Sequence, residues 1–511
     1  MNVPLVKEGT EYHYLSIQTM GISPTESKKL RGEFLQAAAD IFEKVLSKPP
    51  TPNVVELWNE HQEIRRVLDE ITSKQAKLSD TDIHLSKMRL VFCCISLELR
   101  SEKDVADFMT WADQIGIKRY GVTVSECDEV GGLGLLASKQ IAEKERCVTV
   151  PRHAMISVDL ARKSAILKKV FESEVIVQNM ANVGLALFIC AHKVKSDSKW
   201  APYLNVLPSF YTTPLFYTED ELQLLKPSPV FEEALLFYRT VARQFIYYLL
   251  MIGRNDVYDN TSRRERAGAQ PPLLYNSPFT VDNFTFSLYR WSVGTVTTRI
   301  NLIPSETARA ADGTRKMVPA LIPMLDMANH ELIMGTEDLG EAVSYCLEDD
   351  CAEILATKNV APGQWVSMFY GRRSCADHLL HNGFVPAGAN PFDSYKLKIS
   401  LGRADKNFKE KQKLFSEMGF SETSNVYLYD IGVGPSPFHP SMEQFARIYV
   451  SDMPAMAISD PATLRKAVEF LKNRFAILER SYGNIAEGKT LNEKNIASLK
   501  KAEVSILKNA R

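Results

Sequence analysis

The spacing of hydrophobic residues near the start of the chain is that of amphipathic helices. Between positions 54 and 71 they recur every three or four places, with charged residues between them, which puts them on one face of an α-helix. That face carries Val54, Val55, Trp58, His61, Ile64, Val67, Leu68 and Ile71. We therefore predict helices over residues 25–100 and a helical N-terminal region over 1–95.

Further along, short β-type runs stand on both sides of a long helical stretch. "GLGLLASKQIAEKERCVTVP" (132–151) has two such runs around a polar turn, which predicts a hairpin. Strands are also predicted at 346–357 and 365–370, with the turn signal "APG" (361–363) between them. Helices are predicted over about 150–290. Within them, the polar segment 254–278 lacks a period and predicts a flexible loop.

The end of the chain is predicted to be helical again. Asp460 is a good N-cap, and Pro461 suits the first helical position. One face of the helix that follows carries Leu464, Ala467, Val468, Leu471, Phe475 and Leu478. We predict a helical C-terminal domain over 385–511.

Composition and charge indicate no partner. The 61 basic and 62 acidic residues among 511 leave no overall field that would attract nucleic acid or an anionic membrane. The longest apolar runs are too short to span a bilayer, and the first residues do not resemble a secretory signal. We expect a monomer that binds neither nucleic acid nor membrane and is found in the cytoplasm, with the nucleus as a second location.

The eight cysteines do not show the spacing of a metal motif. None lies in a CxxC pair. Cys346 and Cys351 could bind zinc only with two further donors, which the neighbouring sequence does not supply. We therefore predict free thiols in a reducing compartment, and no metal.

Candidate chemistry is concentrated in "LIPMLDMANHE" (321–331). Pro319 and Pro323 cannot donate in a central ladder, which predicts an edge strand or an extended segment entering a turn. Asp326, Asn329 and His330 then follow at its end, where they could bind a polar ligand. Two of them could ligate a metal, but a third donor is missing, and no nucleophile motif for a hydrolase is present. The Gly132-x-Gly134 turn is only a weak match to a dinucleotide fingerprint.

Three short motifs occur in order after the glycine-rich run: "DMANH" (326–330), "FYG" (369–371) and "HNGF" (381–384). This ordered set resembles the SET-domain protein methyltransferases, in which an Asn-His pair and a later tyrosine meet in a pseudoknot around S-adenosyl-L-methionine. The resemblance implies an α+β fold, namely a SET-domain β-clip with pseudoknot over 96–384, a helical insertion, and an all-α C-terminal substrate-binding domain.

Longer segments narrow the resemblance to one subgroup. "WAPYLNVLPSFYTTPLFYTEDEL" (200–222) is similar to the insertion of the Rubisco lysine methyltransferase-like proteins, and "TVTTRINLIP" (295–304) most resembles the actin-histidine methyltransferase branch. The likeness covers roughly residues 95–480. It implies a protein substrate, actin, methylated on the tele nitrogen of a histidine.

The resemblance also implies roles for individual residues. Tyr370 and Asn301 are the implied catalytic residues, and Ile300, Ile303 and Leu325 join Asn301 in binding substrate. The implied cofactor-binding residues are Arg100, Gly131, Gly132, Leu133, Arg299, Asp326, Met327, Ala328, Asn329, His330, Asn382, Gly383 and Phe384. Their chemistry agrees, because glycine admits a close backbone approach, arginine suits a carboxylate, and phenylalanine offers a face to adenine.

The choice of nucleophile favours histidine. A lysine ammonium, with a pKa of about 10.4, must lose a proton before attack, whereas an imidazole, with a pKa of about 6.5, is mostly neutral at pH 7. An imidazole needs one nitrogen held while the other attacks, and Asn301 could hold it. Ile300 and Leu325 replace the Gln and Trp usual in this branch. Lysine therefore stays a second hypothesis, and a non-catalytic binding protein is a third.

Overall fold

The computed structural model describes residues 23–78, 101–127, 132–260, 270–332, 343–420, 422–423, 425–434 and 439–511. The helices predicted within 79–100 lie outside these described residues, as do two predicted cofactor residues, Arg100 and Gly131.

Over residues 23–78, the N-terminal part consists of two long helices, as predicted. α1 (Pro24–Ile41) is capped by the Ser23 side chain and runs into a π-helical turn, Phe42–Leu46, before α2 (Val54–Leu78). On the predicted face of α2, Trp58 is half-buried and Val54 and Val55 are exposed. The buried members of that face are His61, Ile64, Val67, Leu68 and Ile71. Both helices pack against the helical insertion, where Arg239 donates to the carbonyls of Val45 and Lys48. The N-terminal helices therefore share one hydrophobic core with the insertion and the β region.

Among the described residues, the β region has eleven short strands and one α-helix, α3 (Glu102–Gln114). The strands are β1 (Lys118–Arg119), β2 (Val122–Cys127), β3 (Gly132–Ala137), β4 (Arg146–Pro151), β5 (Ile156–Ser157), β6 (Asn301–Arg309), β7 (Arg315–Leu321), β8 (Asn329–His330), β9 (Val343–Cys346), β10 (Cys351–Leu355) and β11 (Trp365–Met368). They form three sheets with the orders β1-β4-β10-β9, β2-β3-β11-β8 and β5-β7-β6.

The predicted hairpin over 132–151 is wrong. β3 and β4 both form, but β3 pairs with β2 and β11, and β4 pairs with β1 and β10. The segment between them crosses from one sheet to another, with Ile141 bridging to Val360 on the way. The single strand predicted at 346–357 is also wrong. Its first part is the turn of the β9–β10 hairpin, and its second part forms β10. Alternation shows that a segment is extended, but it does not select the pairing partner.

The proline-bearing strand β7 lies between β5 and β6. β5 pairs only with Ala320 and Leu321, so Pro319 pairs with β6 alone, opposite Leu302. The prediction of an edge strand is therefore correct at Pro319. It is wrong for Ala320 and Leu321, which lie opposite β5. Proline is tolerated here because this part of the strand has a neighbour on one side only.

The insertion is helical, as predicted. Its helices are α4 (Val158–Lys163), α5 (Lys168–Ser173), α6 (Val175–Asn179), α7 (Ala181–Val194), α8 (Ala201–Val206), α9 (Glu219–Leu224), α10 (Val230–Asn260) and α11 (Phe286–Arg299). The predicted loop over 254–278 is wrong at its start, because α10 continues to Asn260. Tyr275 donates to Asp259 Oδ1 at 2.7 Å and so fastens this last helical turn. None of the helices formed by the described residues combines the length and apolar character needed to cross a membrane.

The C-terminal part corrects the prediction of an all-helical domain. After α12 (Cys375–Asn382), the strands β12 (Ser394–Ser400), β13 (Glu422–Thr423) and β14 (Val426–Gly432) form a sheet with the order β12-β14-β13. The alternation in "SYKLKIS" and "VYLYDIG" is the sequence signal that the prediction missed. The helices are α13 (Phe408–Glu417), α14 (Pro440–Val450), α15 (Pro461–Ser481) and α16 (Leu491–Asn509). Asp460 caps α15 as predicted, and Ala467, Leu471 and Phe475 are buried on its face, whereas Val468 is exposed.

Glu503 joins α16 to the insertion from a buried position. It accepts hydrogen bonds from the hydroxyls of Ser228 and Tyr482, at 2.8 and 2.9 Å. Burial raises its pKa to about 7, against the lowering effects of Ser228, Tyr482 and Lys500. A carboxyl whose pKa is raised by folding stabilises the folded state below its unfolded pKa, and this contribution is lost as the pH rises through the folded value.

We therefore expect the free energy of unfolding to fall between pH 5 and pH 8, and Glu503→Gln to flatten that fall. At about 1.4 kcal/mol per pKa unit, the shift from 4.5 to about 7 corresponds to roughly 3–4 kcal/mol. Denaturant unfolding across this pH range would measure it, with the exposed Glu469→Gln on α15 as the matched control. Equal pH dependence in wild type and Glu503→Gln would contradict the assignment.

Candidate active site

Parallel pairing of β8 with β11 builds the centre of the site. Asn329 lies opposite Ser367 and His330 opposite Met368, and His330 lies beside Tyr370. The backbone N–H of Tyr370 donates to His330 Nδ1 at 3.2 Å. Burial lowers the pKa of His330 to about 4, so the ring is neutral at pH 7. Because Nδ1 accepts, the proton of this neutral ring lies on Nε2.

Tyr370 is held by its hydroxyl as well as by its backbone. The hydroxyl donates to the carbonyl of Ala328 at 2.9 Å, and the ring packs between His330 and Phe384. Burial raises the pKa of Tyr370 to about 12. The group is therefore a neutral phenol at physiological pH, able to orient a neighbour but not to act as a strong base.

Asp326 and Arg299 form a buried charged pair. Arg299, the last residue of α11, donates from Nη1 to the carbonyl of Asp326 at 2.8 Å and lies 3.7 Å from its Oδ2. Tyr203 donates its hydroxyl to the same Oδ2. Burial raises the pKa of Asp326 to about 6, although Arg299 and Tyr203 both lower it. The pair thus places a fixed guanidinium at the edge of the site.

The glycine-rich strand β3 forms one wall. Asn329 donates from Nδ2 to the carbonyl of Leu133 at 3.1 Å, which ties β8 to β3. A Cβ on Gly134 would lie 2.9 Å from Trp365 and 3.1 Å from Asn329 Nδ2, so only glycine allows this approach. Gly132 opens the strand, opposite Cys127.

Asn329→Ala should weaken binding of S-adenosyl-L-methionine by about 1–3 kcal/mol, because the Leu133 carbonyl loses its partner and the wall loses its tie to β8. Isothermal calorimetry on a variant with a native circular dichroism spectrum would measure this. Asn359→Ala removes a surface amide that accepts from the Glu143 N–H and is the matched control. Unchanged affinity in folded Asn329→Ala would refute the role of this wall.

Helix α12 contributes a second wall. A capping box between Ser374 and Asp377 starts it, and Gly383, with φ +85°, ends it in the left-handed conformation. Phe384 then packs against His330 at a ring-centroid distance of 5.6 Å. The structure therefore brings Phe384 to Tyr370 and His330, as the sequence predicts.

Asn382 and Gly383 are engaged by the protein itself. Asn382 Oδ1 accepts from Arg373 at 2.8 Å, and the Gly383 carbonyl accepts from Thr212 and Asn495 at 2.7 and 3.1 Å. A direct cofactor contact by either residue stays a prediction. The contacts of Gly383 fasten the end of α12 to the insertion and to α16, whereas the Asn382–Arg373 bond is local.

The predicted substrate residues differ in accessibility. Asn301 is partly exposed at the start of β6, and its Nδ2 donates to the carbonyl of Arg299 at 3.3 Å. Ile300 is also partly exposed, whereas Ile303 and Leu325 are almost completely buried. Asn301 and Ile300 can therefore meet a ligand directly, while the two buried residues could only shape the wall from behind. Their roles in substrate binding stay predictions.

Two further features of the site were missed by sequence reasoning. Tyr203 is buried in α8 and donates a hydrogen bond to Asp326, which lies 123 residues further along the sequence. No local pattern indicates this contact. Met324, directly before Leu325, adopts φ +71° and ψ −47°. Such strain in a non-glycine residue persists where surrounding packing enforces it, and it concentrates at functional sites.

Buried polar atoms without a partner show that the site suits a polar ligand. Within the described part of the chain, Asp326 Oδ1, Arg299 Nε and His330 Nε2 are buried and make no hydrogen bond. Leaving such atoms unpaired is costly, so a ligand with both donors and acceptors would be stabilised here.

Comparison with known proteins agrees with this geometry. No family model matches the chain. It is 30% identical over 409 residues to the actin-histidine N-methyltransferase of Homo sapiens, covering 80% of this chain and 59% of that protein. The enzymes of the same name from Danio rerio and Gallus gallus are each 29% identical, over 96% and 84% of this chain. The chain spans 74% and 63% of their lengths, so most of these relatives are substantially longer.

Solved structures show the same fold. The SET domain of LSMT bound to lysine and AdoHcy superimposes with a TM-score of 0.59 and 17% sequence identity, covering 80% of this chain and 90% of that one. Rubisco LSMT bound to AdoMet superimposes with a TM-score of 0.57 at 18% identity, with the same coverage of both chains. The predicted α+β SET-domain fold is thereby confirmed.

Proposed function

We propose that this chain is a protein methyltransferase that uses S-adenosyl-L-methionine and modifies a histidine of actin at its tele nitrogen. The proposal is supported by the SET-domain fold and by the similarity to actin-histidine N-methyltransferases over four fifths of the chain. The observation that carries the proposal is the convergence of Tyr370, Asn329 and the Arg299–Asp326 pair on one site. The motifs that contribute them are far apart in sequence.

The residues present fit the cofactor. S-adenosyl-L-methionine supplies a methyl group on a sulfonium, together with an amino acid part, a ribose and an adenine. Arg299 matches the carboxylate of the amino acid part, and its Nε is buried without a hydrogen-bond partner. Phe384 offers a ring face for adenine, and the β3 wall admits a close backbone approach.

Tyr370 would orient the reaction. Its hydroxyl is fixed on the Ala328 carbonyl, and its raised pKa keeps it protonated. In-line transfer of a methyl group depends on alignment more than on acid or base catalysis, so a fixed hydroxyl dipole beside the reacting atoms is the required contribution. The close packing of His330 and Phe384 around the ring maintains this alignment.

Asn301 would select an imidazole. Its Nδ2 is bonded to the Arg299 carbonyl, and no hydrogen bond from the described residues reaches its Oδ1. A carbonyl oxygen held in this way can accept the N–H of a neutral imidazole and direct the other nitrogen toward the methyl group. An ammonium would first need to lose a proton, and the described part of the site shows no strong base for that step.

Incubating the chain with radiolabelled S-adenosyl-L-methionine and purified non-methylated actin tests the proposal. We expect label in actin and, by mass spectrometry, one methyl group on a histidine. Actin with that histidine changed to alanine is the control. Label on lysine would instead support the lysine hypothesis, and cofactor binding without transfer to actin or to proteins of a cell extract would indicate a non-catalytic binding protein.

A further inference from the structure

The β9–β10 hairpin brings two thiols and a carboxylate together, outside the candidate active site. Cys346 and Cys351 are direct partners in the strand register. Their Sγ atoms and a carboxylate oxygen of Asp349 all lie within 4.8 Å of one another. Cys351 is buried, Cys346 is partly exposed and Asp349 is exposed, so the cluster opens to solvent on one side.

The two aspartates of this turn have different environments. Asp350 is held inward, where its carboxylate accepts from Arg152 Nε and from the Tyr345 hydroxyl at 2.9 and 2.8 Å. The Asp349 carboxylate makes no hydrogen bond or ion pair with any residue in the described ranges, and neither thiol has a hydrogen-bond partner there. One acid thus stabilises the turn, while the other stands beside the thiols as a third donor that the linear spacing did not reveal.

We propose that Cys346, Asp349 and Cys351 form a site for a thiophilic divalent cation of the Zn²⁺ type. Two thiolates and one carboxylate are ligands that Zn²⁺ accepts in proteins, and a fourth position stays open for water. Binding forms two metal–sulfur bonds and one metal–oxygen bond, and each thiol releases its proton to solvent. The cation would join both strands of the hairpin, which belongs to a different sheet from β8 and β11.

The surrounding charges favour a cation over free thiolates. Cys351 is buried, and the acidic side chains of Glu353 and Asp349 act on it electrostatically. The neighbouring guanidinium groups are engaged, since Arg146 pairs with Glu353 and Arg152 with Asp350. A dication can therefore neutralise the negative charge of the thiolates and of Asp349, which these arginines leave unbalanced. Because the dication displaces the thiol protons, its affinity should rise with pH.

The full chain, reduced and freed of metal with a chelator, provides the test with Co²⁺ and Zn²⁺ as probes. We expect one equivalent of Co²⁺ to bind with a thiolate-to-cobalt charge-transfer band, and Zn²⁺ to displace it. In the unmutated protein, Zn²⁺ should protect Cys346 and Cys351 from alkylation, mapped by mass spectrometry, without changing the labelling of Cys375. This second measurement does not depend on the folding of any variant.

Matched substitutions complete the design. Cys346→Ser and Cys351→Ser should abolish the charge-transfer band. Asp349→Asn should weaken Zn²⁺ binding at least roughly tenfold. Losing even a residue that only supports a metal ligand lowers metal affinity by about this factor. Glu348→Gln, at the neighbouring exposed acid of the same turn, should leave it unchanged. Absence of protection by Zn²⁺, or a Cys346–Cys351 disulfide that persists under reducing conditions and prevents Co²⁺ binding, would overturn the proposal.

Discussion

Replacing Tyr370 by phenylalanine should lower turnover by about ten- to a thousandfold while leaving the affinity for S-adenosyl-L-methionine nearly unchanged. The ring packs against His330 and Phe384, and phenylalanine preserves this packing. Only the hydroxyl is lost, and with it the fixed hydrogen bond to the Ala328 carbonyl. If that hydroxyl aligns the reacting atoms, the loss affects the transition state and spares ground-state binding.

Single-turnover kinetics with actin would isolate the chemical step, and calorimetry would measure cofactor affinity separately. Tyr449→Phe is a suitable control, because its hydroxyl donates to the Ser400 carbonyl in the C-terminal region. Wild-type turnover in Tyr370→Phe would mean that the hydroxyl is structural. A large loss of cofactor affinity would mean that the ring and its hydroxyl form part of the binding wall.

Asn301→Ala should separate histidine from lysine as the substrate. If Oδ1 accepts from the substrate imidazole, its removal should cost about 1–3 kcal/mol in kcat/KM for a histidine peptide, roughly five- to a hundredfold. A lysine side chain has no second ring nitrogen for Asn301 to hold. The kcat/KM for the lysine peptide, which is lower in the wild type, should therefore be unchanged in Asn301→Ala, or should rise as the pocket becomes less selective.

The measurement uses two peptides built on the actin sequence around its methylated histidine, one with His and one with Lys at the target position. Wild type, Asn301→Ala and the surface control Asn205→Ala, which removes an amide that pairs with Lys193, are assayed on both. Equal activity of wild type on the two peptides would refute histidine selectivity, as would equal loss on both in Asn301→Ala. Either result would favour the lysine hypothesis.

Ile300 and Leu325 stand where the actin-histidine branch usually has Gln and Trp, and both differences bear on substrate selectivity. Leu325 is completely buried, and Ile300 is only partly exposed. A smaller residue than Trp at 325 alters the packing behind the wall, and Ile300 cannot replace the hydrogen bonds of a Gln. If Asn301 selects the substrate, we therefore expect selectivity between histidine and lysine to depend more heavily on Asn301 in this chain.

The sequence by itself determined most of the helical parts and predicted several of the residues that the structure gathers at the candidate site. The apolar repeat of α2 and the Asp460 cap of α15 are local signals, and local signals suffice for helices because their hydrogen bonds close within a few residues. The ordered motifs around Asn329, Tyr370 and Phe384 indicated the SET-domain fold because their side-chain chemistry is specific. Their mutual contact in the structure agrees with that interpretation.

Only the tertiary structure decided how the strands pair and which residues support the site. β3 and β4 are neighbours in sequence but lie in different sheets, while β8 and β11 are distant in sequence and pair in parallel. Tyr203 reaches Asp326 from another helix, and Asp349 joins two cysteines only once the hairpin has formed. These contacts depend on the packing of the whole chain, because strand pairing and buried polar networks are completed by residues that no local pattern identifies.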